Sequence, residues 1–294
     1  MKPWAVVIII IAALLVVVLA VRAIYEYVSL MRTDYEIETG KFPDGKKKRF
    51  LVISDLHARV YGKDNEKLLE LMRSCTPDVI LLAGDILTAS PRKDLEPMFS
   101  FLTRCSKIAP VYYAPGNHER KIREKGASFG PVYDRFRQIL QENGICYLEN
   151  EKVCTDDGIC LYGLDLDLKY FPKLPYRNKK PIYTAQDIKQ DLGDPDPALF
   201  NILLAHSPRY FDAYAAFGAD LVLSGHYHGG AVRVPKVGGL ISPQFVLFPD
   251  YDKGVYQKEN TEMIVSSGCG SHKVHLRLFN KPEVMVVDIH GHLI

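Results

Sequence analysis

The sequence predicts a layered α/β domain with a largely parallel sheet, carried behind one apolar N-terminal helix. From Arg49 onward, apolar runs of strand length alternate with segments whose apolar residues recur at helical spacing. Five of those runs stop abruptly at Asp, Asn or His side chains, most of them beside glycine. Ahead of them, Trp4 to Val21 is an uncharged stretch of eighteen residues, almost all Val, Ile, Leu and Ala.

That first stretch meets the lower length for crossing a bilayer core. A cleaved signal peptide would have a shorter apolar centre of about 7–15 residues ending at a small-x-small site. Here the run continues to Arg22 without a clean Ala-x-Ala, which favours an uncleaved anchor over residues 1–27. Trp4, Tyr25 and Tyr27 suit the two interfaces. Lys2 before the span and Arg22, Arg32 and Lys41 after it do not decide which side the domain faces. Residues 28–48 read as a polar linker with Gly40, Pro43 and Gly45, and 49–294 as the folded α/β domain. Lys46-Lys47-Lys48-Arg49 is either a contact for anionic lipid or a solvated lead-in to the first strand.

The 294 residues carry a formal net charge of +2 with both signs interspersed, so no nucleic-acid footprint is present. The chain is read as a monomer. Six cysteines lack any C-x-x-C pair. Cys146, Cys154 and Cys160 cluster and can bridge in an oxidising compartment, but buried free thiols are the expected state.

Taken in order, Phe50–Ile53 is a strand ending in Ser54-Asp55-Leu56-His57, and Lys63–Cys75 a helix with Leu68, Leu69, Leu71 and Met72 on one face. Val79–Leu82 leads into Gly84-Asp85, and Asp94–Ser106 is helical. Val111–Tyr113 leads into Gly116-Asn117-His118-Glu119, with a helix over Val132–Asn143. Cys146–Leu168 holds two or three short strands, and Tyr170–Pro181 is a loop. Ile202–Leu204 leads into His206, with a helix over Tyr210–Phe217. Leu221–Leu223 then runs into Ser224-Gly225-His226-Tyr227-His228-Gly229-Gly230. Short strands are expected at Glu262–Val265, Val274–Leu278 and Val284–Ile289.

In open α/β sheets, ligands lie beyond the carboxyl ends of the strands. All five motifs fall at such ends. Singly, each has a plain structural explanation, as a helix cap or a tight turn. Together they bring two carboxylates, one amide oxygen and four or five imidazoles to one crevice, a donor set suited to Mn, Fe or Zn. Seven ligands exceed one tetrahedral ion. They suit two ions that share a carboxylate, activate water and neutralise phosphoryl oxygens.

The blocks Asp55-x-His57, Gly84-Asp85, Gly116-Asn117-His118-Glu119, His206 and Gly225-His226-Tyr227-His228 resemble the five-part signature of the calcineurin-like metallophosphoesterases, in the family's order. The resemblance implies a four-layer α-β-β-α sandwich of two mixed sheets. It implies one divalent ion on Asp55, His57, Asp85 and His228, and a second on Asp85, Asn117, His206 and His226. His118 looks like the family's acid, which protonates the leaving oxygen or steadies the transition state. The tail around Gly238–Pro243, Phe248–Tyr256 and Arg277–Val284 is similar to a membrane-anchored bacterial phosphodiesterase branch, some of whose members act on lipid-linked or UDP-sugar pyrophosphates. Thr88 stands where many relatives place Asp, and Tyr227 replaces a commoner Thr.

The expectation is therefore a membrane-anchored, binuclear phosphoesterase that cleaves a phosphodiester, pyrophosphate or phosphomonoester bond by a metal-bound hydroxide. A nucleotide or phosphoprotein phosphatase, or a non-catalytic scaffold of the same fold, are the alternatives. Among lesser candidates, Asp165 and Asp167 share one side of a strand, where a hydrogen bond to a ligand histidine would be useful. His272, His275, His290 and His292 read as ordinary loop, strand and surface residues, and Tyr112, Tyr113 and Phe245–Phe248 as core or the wall of a lipid groove.

Overall fold

The computed structural model describes residues 1–171, 181–234, 237–242, 247–271 and 276–291. Its first element is α1 (Pro3–Val28), in which Glu26 is the buried residue. Then follow β1 (Met31–Glu38), β2 (Lys47–Ile53), α2 (Glu66–Ser74), β3 (Val79–Ala83), α3 (Glu96–Cys105) and β4 (Val111–Ala114). Next are α4 (Asn117–Glu124), α5 (Gly126–Phe129), α6 (Val132–Glu142), β5 (Cys146–Tyr147), β6 (Glu151–Cys154) and β7 (Ile159–Leu164). The chain continues through α7 (Ala185–Leu192), β8 (Phe200–Ala205), α8 (Phe211–Phe217) and β9 (Leu221–Ser224). It closes with β10 (Val232–Val234), β11 (Gly238–Ile241), β12 (Gly254–Lys258), β13 (Thr261–Val265) and β14 (Glu283–His290).

Two six-stranded sheets form, in the orders β1-β14-β2-β3-β4-β5 and β12-β13-β9-β8-β7-β6. Both are mixed. In the first, β14 runs antiparallel to β2 and parallel to β1. In the second, the parallel run β13-β9-β8-β7 is flanked by the antiparallel edges β12 and β6. In the second sheet antiparallel pairing enters through the short hairpins β6–β7 and β12–β13, and in the first through the return of the C-terminal strand β14 beside β2, features that the alternation of apolar runs does not reveal.

The side-chain period of two divides each strand between two cores. On β2, Phe50 and Val52 meet Leu161, Ile202, Leu204 and Leu223 between the sheets. Leu51 and Ile53 face the opposite way, onto Leu68, Leu69, Met72, Phe101 and Phe136 of the outer helices. On the far side Leu203, Val222 and Met263 pack against Ile188, Phe211 and Phe217. The layers are thus helix, sheet, sheet, helix, and strands covered on both faces read as unbroken apolar runs.

Several local expectations change. Residues 31–38, within the stretch read as a linker, form the edge strand β1, whose Tyr35 and Ile37 pack inward while alternate polar residues face out. Three of the four residues in the basic run are ion-paired: Lys47 and Arg49 bind Asp288, and Lys48 binds Asp157. Cys154 and Cys160 are opposed in the β6–β7 ladder and joined as a disulfide, whereas Cys146 is free. Of the strand expected at Val274–Leu278, residues 276–278 contribute an isolated bridge from Leu278 to Val232, and the remainder lies outside the described residues. His272, His275, His292, Phe245 and Val246 lie outside them as well.

Candidate metal centre

The five motifs converge at the carboxyl ends of β2, β3, β4, β8 and β9. Asp55 and Asp85 are fully buried, and each is clamped by the main chain of another motif. Asp55 accepts the His226 N–H at 2.9 Å through Oδ2, and Asp85 accepts the His118 N–H at 2.8 Å through Oδ1. The remaining oxygens face imidazoles. Asp55 Oδ1 lies 3.4 Å from His228 Nε2, 3.6 Å from His206 Nε2 and 3.7 Å from His57 Nε2. Asp85 Oδ2 lies 3.2 Å from His206 Nε2, 3.7 Å from His57 Nε2 and 4.0 Å from His118 Nε2. His57 Nε2 and His228 Nε2 are 3.1 Å apart.

Such crowding needs an unusual backbone. Asp55, His57, Asp85, His226 and His228 all have positive φ, between 49° and 69°. Outside glycine this conformation costs about 1–3 kcal/mol per residue and is concentrated at functional sites. Two glycines permit the close approach. A Cβ on Gly116 would lie 2.2 Å from Asp85 Oδ1, and one on Gly225 would lie 2.2 Å from Asp55 Oδ2.

Hydrogen bonds to the far ring nitrogens distinguish the histidines. His206 Nδ1 lies 2.8 Å from the Ala83 carbonyl and His228 Nδ1 lies 3.3 Å from the Gly270 carbonyl. Each Nδ1 therefore donates, which turns Nε2 into the site, the nitrogen through which a metal would be held. His118 is the reverse. Its Nδ1 accepts the Ala89 N–H at 2.7 Å, so its Nε2 carries the proton toward Asp85. Thr88 puts its hydroxyl 3.4 Å from the same nitrogen.

Electrostatics follow the geometry. Burial opposes ionisation of both carboxyls, but the surrounding imidazoles outweigh it and hold Asp55 and Asp85 below the ordinary range. Burial pushes His226 and His228 down to about 3, His226 helped by His206 and His228 by His57. At His206 burial is again opposed: Asp85 and Asp55 push it up to about 10. The crevice thus holds two buried anions beside the neutral imidazoles of His226 and His228, and it attracts positive charge, as the proton held at His206 shows. Asn117 Oδ1, an amide oxygen of the kind that ligates cations, is buried and accepts no hydrogen bond. Asp55, His57 and His228 bring ligand atoms within 4.8 Å of one another, as do Asp85, His206 and His226, and also His57, Asp85 and His118. These oxygen and nitrogen donors fit divalent cations.

Other residues support the crevice, one from within a motif and the rest from outside the motifs. Glu119 accepts from the Asp85, Leu87 and Gly116 N–H groups and from the Tyr113 hydroxyl. The fully buried Arg277 donates to the carbonyls of Ser267, Gly268 and Gly270, which fixes the loop against Asp55. Phe171 sets its ring 5.0 Å from that of His226. Asp165 does not reach a ligand histidine. It binds Arg120 and Arg123, which project from α4, and Asp167 leans on Arg120 at 3.5 Å. Tyr113 is core rather than groove wall.

A mixed-sheet sandwich with clustered Asp and His at its strand ends defines a metal-dependent phosphoesterase. Residues 48–230 match the family model for the calcineurin-like phosphoesterases, and the chain belongs to that family. It is similar to the uncharacterized metallophosphoesterase YkoQ of Bacillus subtilis, at 26% identity over 82% of this chain and 83% of that one. It is also similar to the UDP-2,3-diacylglucosamine pyrophosphatase LpxG of Chlamydia muridarum, at 23% identity over 88% of each chain. The phosphodiesterase YaeI of Escherichia coli matches at 28% identity over 72% of this chain and 70% of that one. The protein is a hydrolase of phosphoric esters.

Proposed function

We propose a single-pass membrane phosphoesterase that uses two divalent ions, manganese being the first to test, and acts on a lipid-linked diphosphate or diester. One ion is assigned to Asp55, His57, Asp85 and His228, the other to Asp85, Asn117, His206 and His226, with Asp85 common to both. The observation that carries this is the opposite use of Nδ1: His206 and His228 donate from it to carbonyls and turn Nε2 inward, where a cation would replace any proton, while His118 accepts at it and aims an Nε2 proton. Bound there, divalent ions supply Lewis acidity toward water and the phosphoryl oxygens. The chain's own groups do the rest. The His226 and His118 N–H groups hold the two carboxylates in register. His118 Nε2 lies 4.0 Å from Asp85 Oδ2, and its proton would be given to the departing oxygen.

The anchor is assigned to residues 1–27 and the catalytic unit to 49–294, with 28–48 contributing β1 to its sheet. α1 is long and apolar enough to cross a bilayer, and the pyrophosphatase named among the relatives supports a lipid-linked substrate. The test is hydrolysis by the full-length chain, in manganese, of bis(p-nitrophenyl) phosphate, a nucleotide-sugar lipid diphosphate, free nucleotides and a phosphopeptide. The lipid diphosphate should turn over fastest, and Asn117→Ala should nearly abolish activity. Faster turnover of nucleotides or phosphopeptide overturns the substrate assignment. Full activity in Asn117→Ala overturns the ligand assignment.

A further inference from the structure

We propose that Glu26, in the last turn of α1, is a positioning residue for the site, acting through Asn280 on the loop that carries His228. The inference rests on the assignment of His228 as a ligand. In a helix whose other side chains are exposed or only partly covered, the buried residue is an acid: Glu26 is 1% exposed. A carboxylate is costly to bury and persists where its charge and lone pairs are met. Here Oε1 binds Arg22 at 2.8 Å, and Oε2 accepts the Asn280 N–H at 3.0 Å. The Asn280 side chain, also buried, donates from Nδ2 to the carbonyls of His228 and Gly230, both at 2.6 Å. Those two residues have φ of 52° and 83°, so the amide grips a loop segment held in the left-handed region.

The same turn reaches the other side of the site. Arg59, two residues beyond His57, stacks 3.9 Å from the Tyr27 ring centre and donates to the Tyr27 carbonyl. Lys281 lies 4.9 Å from the Tyr25 ring and Arg22 lies 4.4 Å from that of Phe279. One helix turn is therefore tied to the segments after His57 and around His228, whose Nε2 atoms are 3.1 Å apart. A turn that only needed to pack would be served by an apolar residue. A carboxylate fixes one N–H direction, and with it the placement of the Asn280 amide.

The experiment uses the full-length chain in detergent, with bis(p-nitrophenyl) phosphate as substrate and manganese as titrant. Removing one hydrogen bond from the relay in Glu26→Ala should raise the manganese concentration for half-maximal activity by about three- to tenfold. Glu26→Gln keeps an amide oxygen for the Asn280 N–H and should restore the wild-type requirement. Asn280→Ala should raise the requirement too, and adding Glu26→Ala to it should do nothing further, because the two act in series. If Glu26→Ala does not fold, Asn280→Asp replaces the amide donor with an acceptor facing two carbonyls and should raise the requirement in its place. An unchanged manganese requirement in the folded variant, even with a lower melting temperature, overturns the proposal by leaving Glu26 a structural contact. So does a Glu26→Gln variant as impaired as Glu26→Ala. Wild-type activity independent of metal would instead refute the proposed function, so the two failures are distinguishable.

Discussion

Glu119→Gln separates the scaffold of the site from its ligands, because it changes one atom and leaves every proposed ligand in place. Glu119 is fully buried and meets four donors. Oε1 accepts from Leu87 N–H at 2.8 Å and the Tyr113 hydroxyl at 2.7 Å, and Oε2 accepts from the Asp85 and Gly116 N–H groups at 2.9 Å each. Burial, then the charge of Asp85, raises its pKa, so the carboxylate is held at a cost that these four bonds offset. A glutamine does best with its amide oxygen toward the Asp85 and Gly116 N–H groups and its NH2 toward Tyr113, whose hydroxyl can turn to accept it; the Leu87 N–H is then left without an acceptor. One buried unsatisfied donor costs about 1–3 kcal/mol. That is a sizeable share of the roughly 5–15 kcal/mol that stabilises a typical domain. Circular-dichroism melting of the full-length protein should show a drop of roughly 2–12 °C. Turnover should fall with it, since the loop that carries Asp85 loses its restraint at Leu87. A melting temperature within about 2 °C of wild type would refute the idea that this carboxylate organises the β3 and β4 loops.

His118→Ala should lower kcat by roughly 10²–10⁴-fold, the usual range for a positioned proton donor, while manganese content stays at the wild-type level. Loss of metal together with activity would contradict the tautomer assignment. At the opposite end of the first sheet, Asp288 receives both Arg49 nitrogens at 2.8 Å and Lys47 at 2.6 Å. Burial raises its pKa, but these cations outweigh that and bring it from 3.8 to about 2. A depressed folded-state pKa contributes stability above the unfolded value, lost as pH falls through the folded one. Asp288→Asn should therefore cost about 1 kcal/mol near neutrality, allowing for solvent screening, as read by urea denaturation. The gap to wild type should close between about pH 4 and pH 2, and a gap constant across that window would refute the assignment.

The convergence of the five motifs was legible because strand-end placement is a property of the chain order: an apolar run buried on both faces must end before a charged or imidazole side chain can be exposed to a crevice. The two-sheet split was carried by the family likeness, since alternation alone suggests one largely parallel sheet. β1 escaped notice because its inward residues, Tyr35 and Ile37, are interleaved with Asp34, Glu36 and Glu38, so an edge strand with one covered face looks like a polar linker. Glu119 was quoted within its motif, yet its role depends on N–H groups from β3 and β4 that meet only in the fold. Glu26 and Asn280 lie 254 positions apart, and no local pattern joins them. Asp165 is a candidate partner for one of the histidines by sequence because spacing fixes which side of a strand a residue faces, but not what waits there. Arg120 and Arg123 reach it because α4 starts at Asn117 and points them that way.

The central claim, that Asp85 is shared by two cations, is tested most directly by the manganese content of Asp85→Asn beside wild type. About two ions per wild-type chain, with both lost in the variant, is the predicted result. A variant that keeps the full wild-type complement would contradict it.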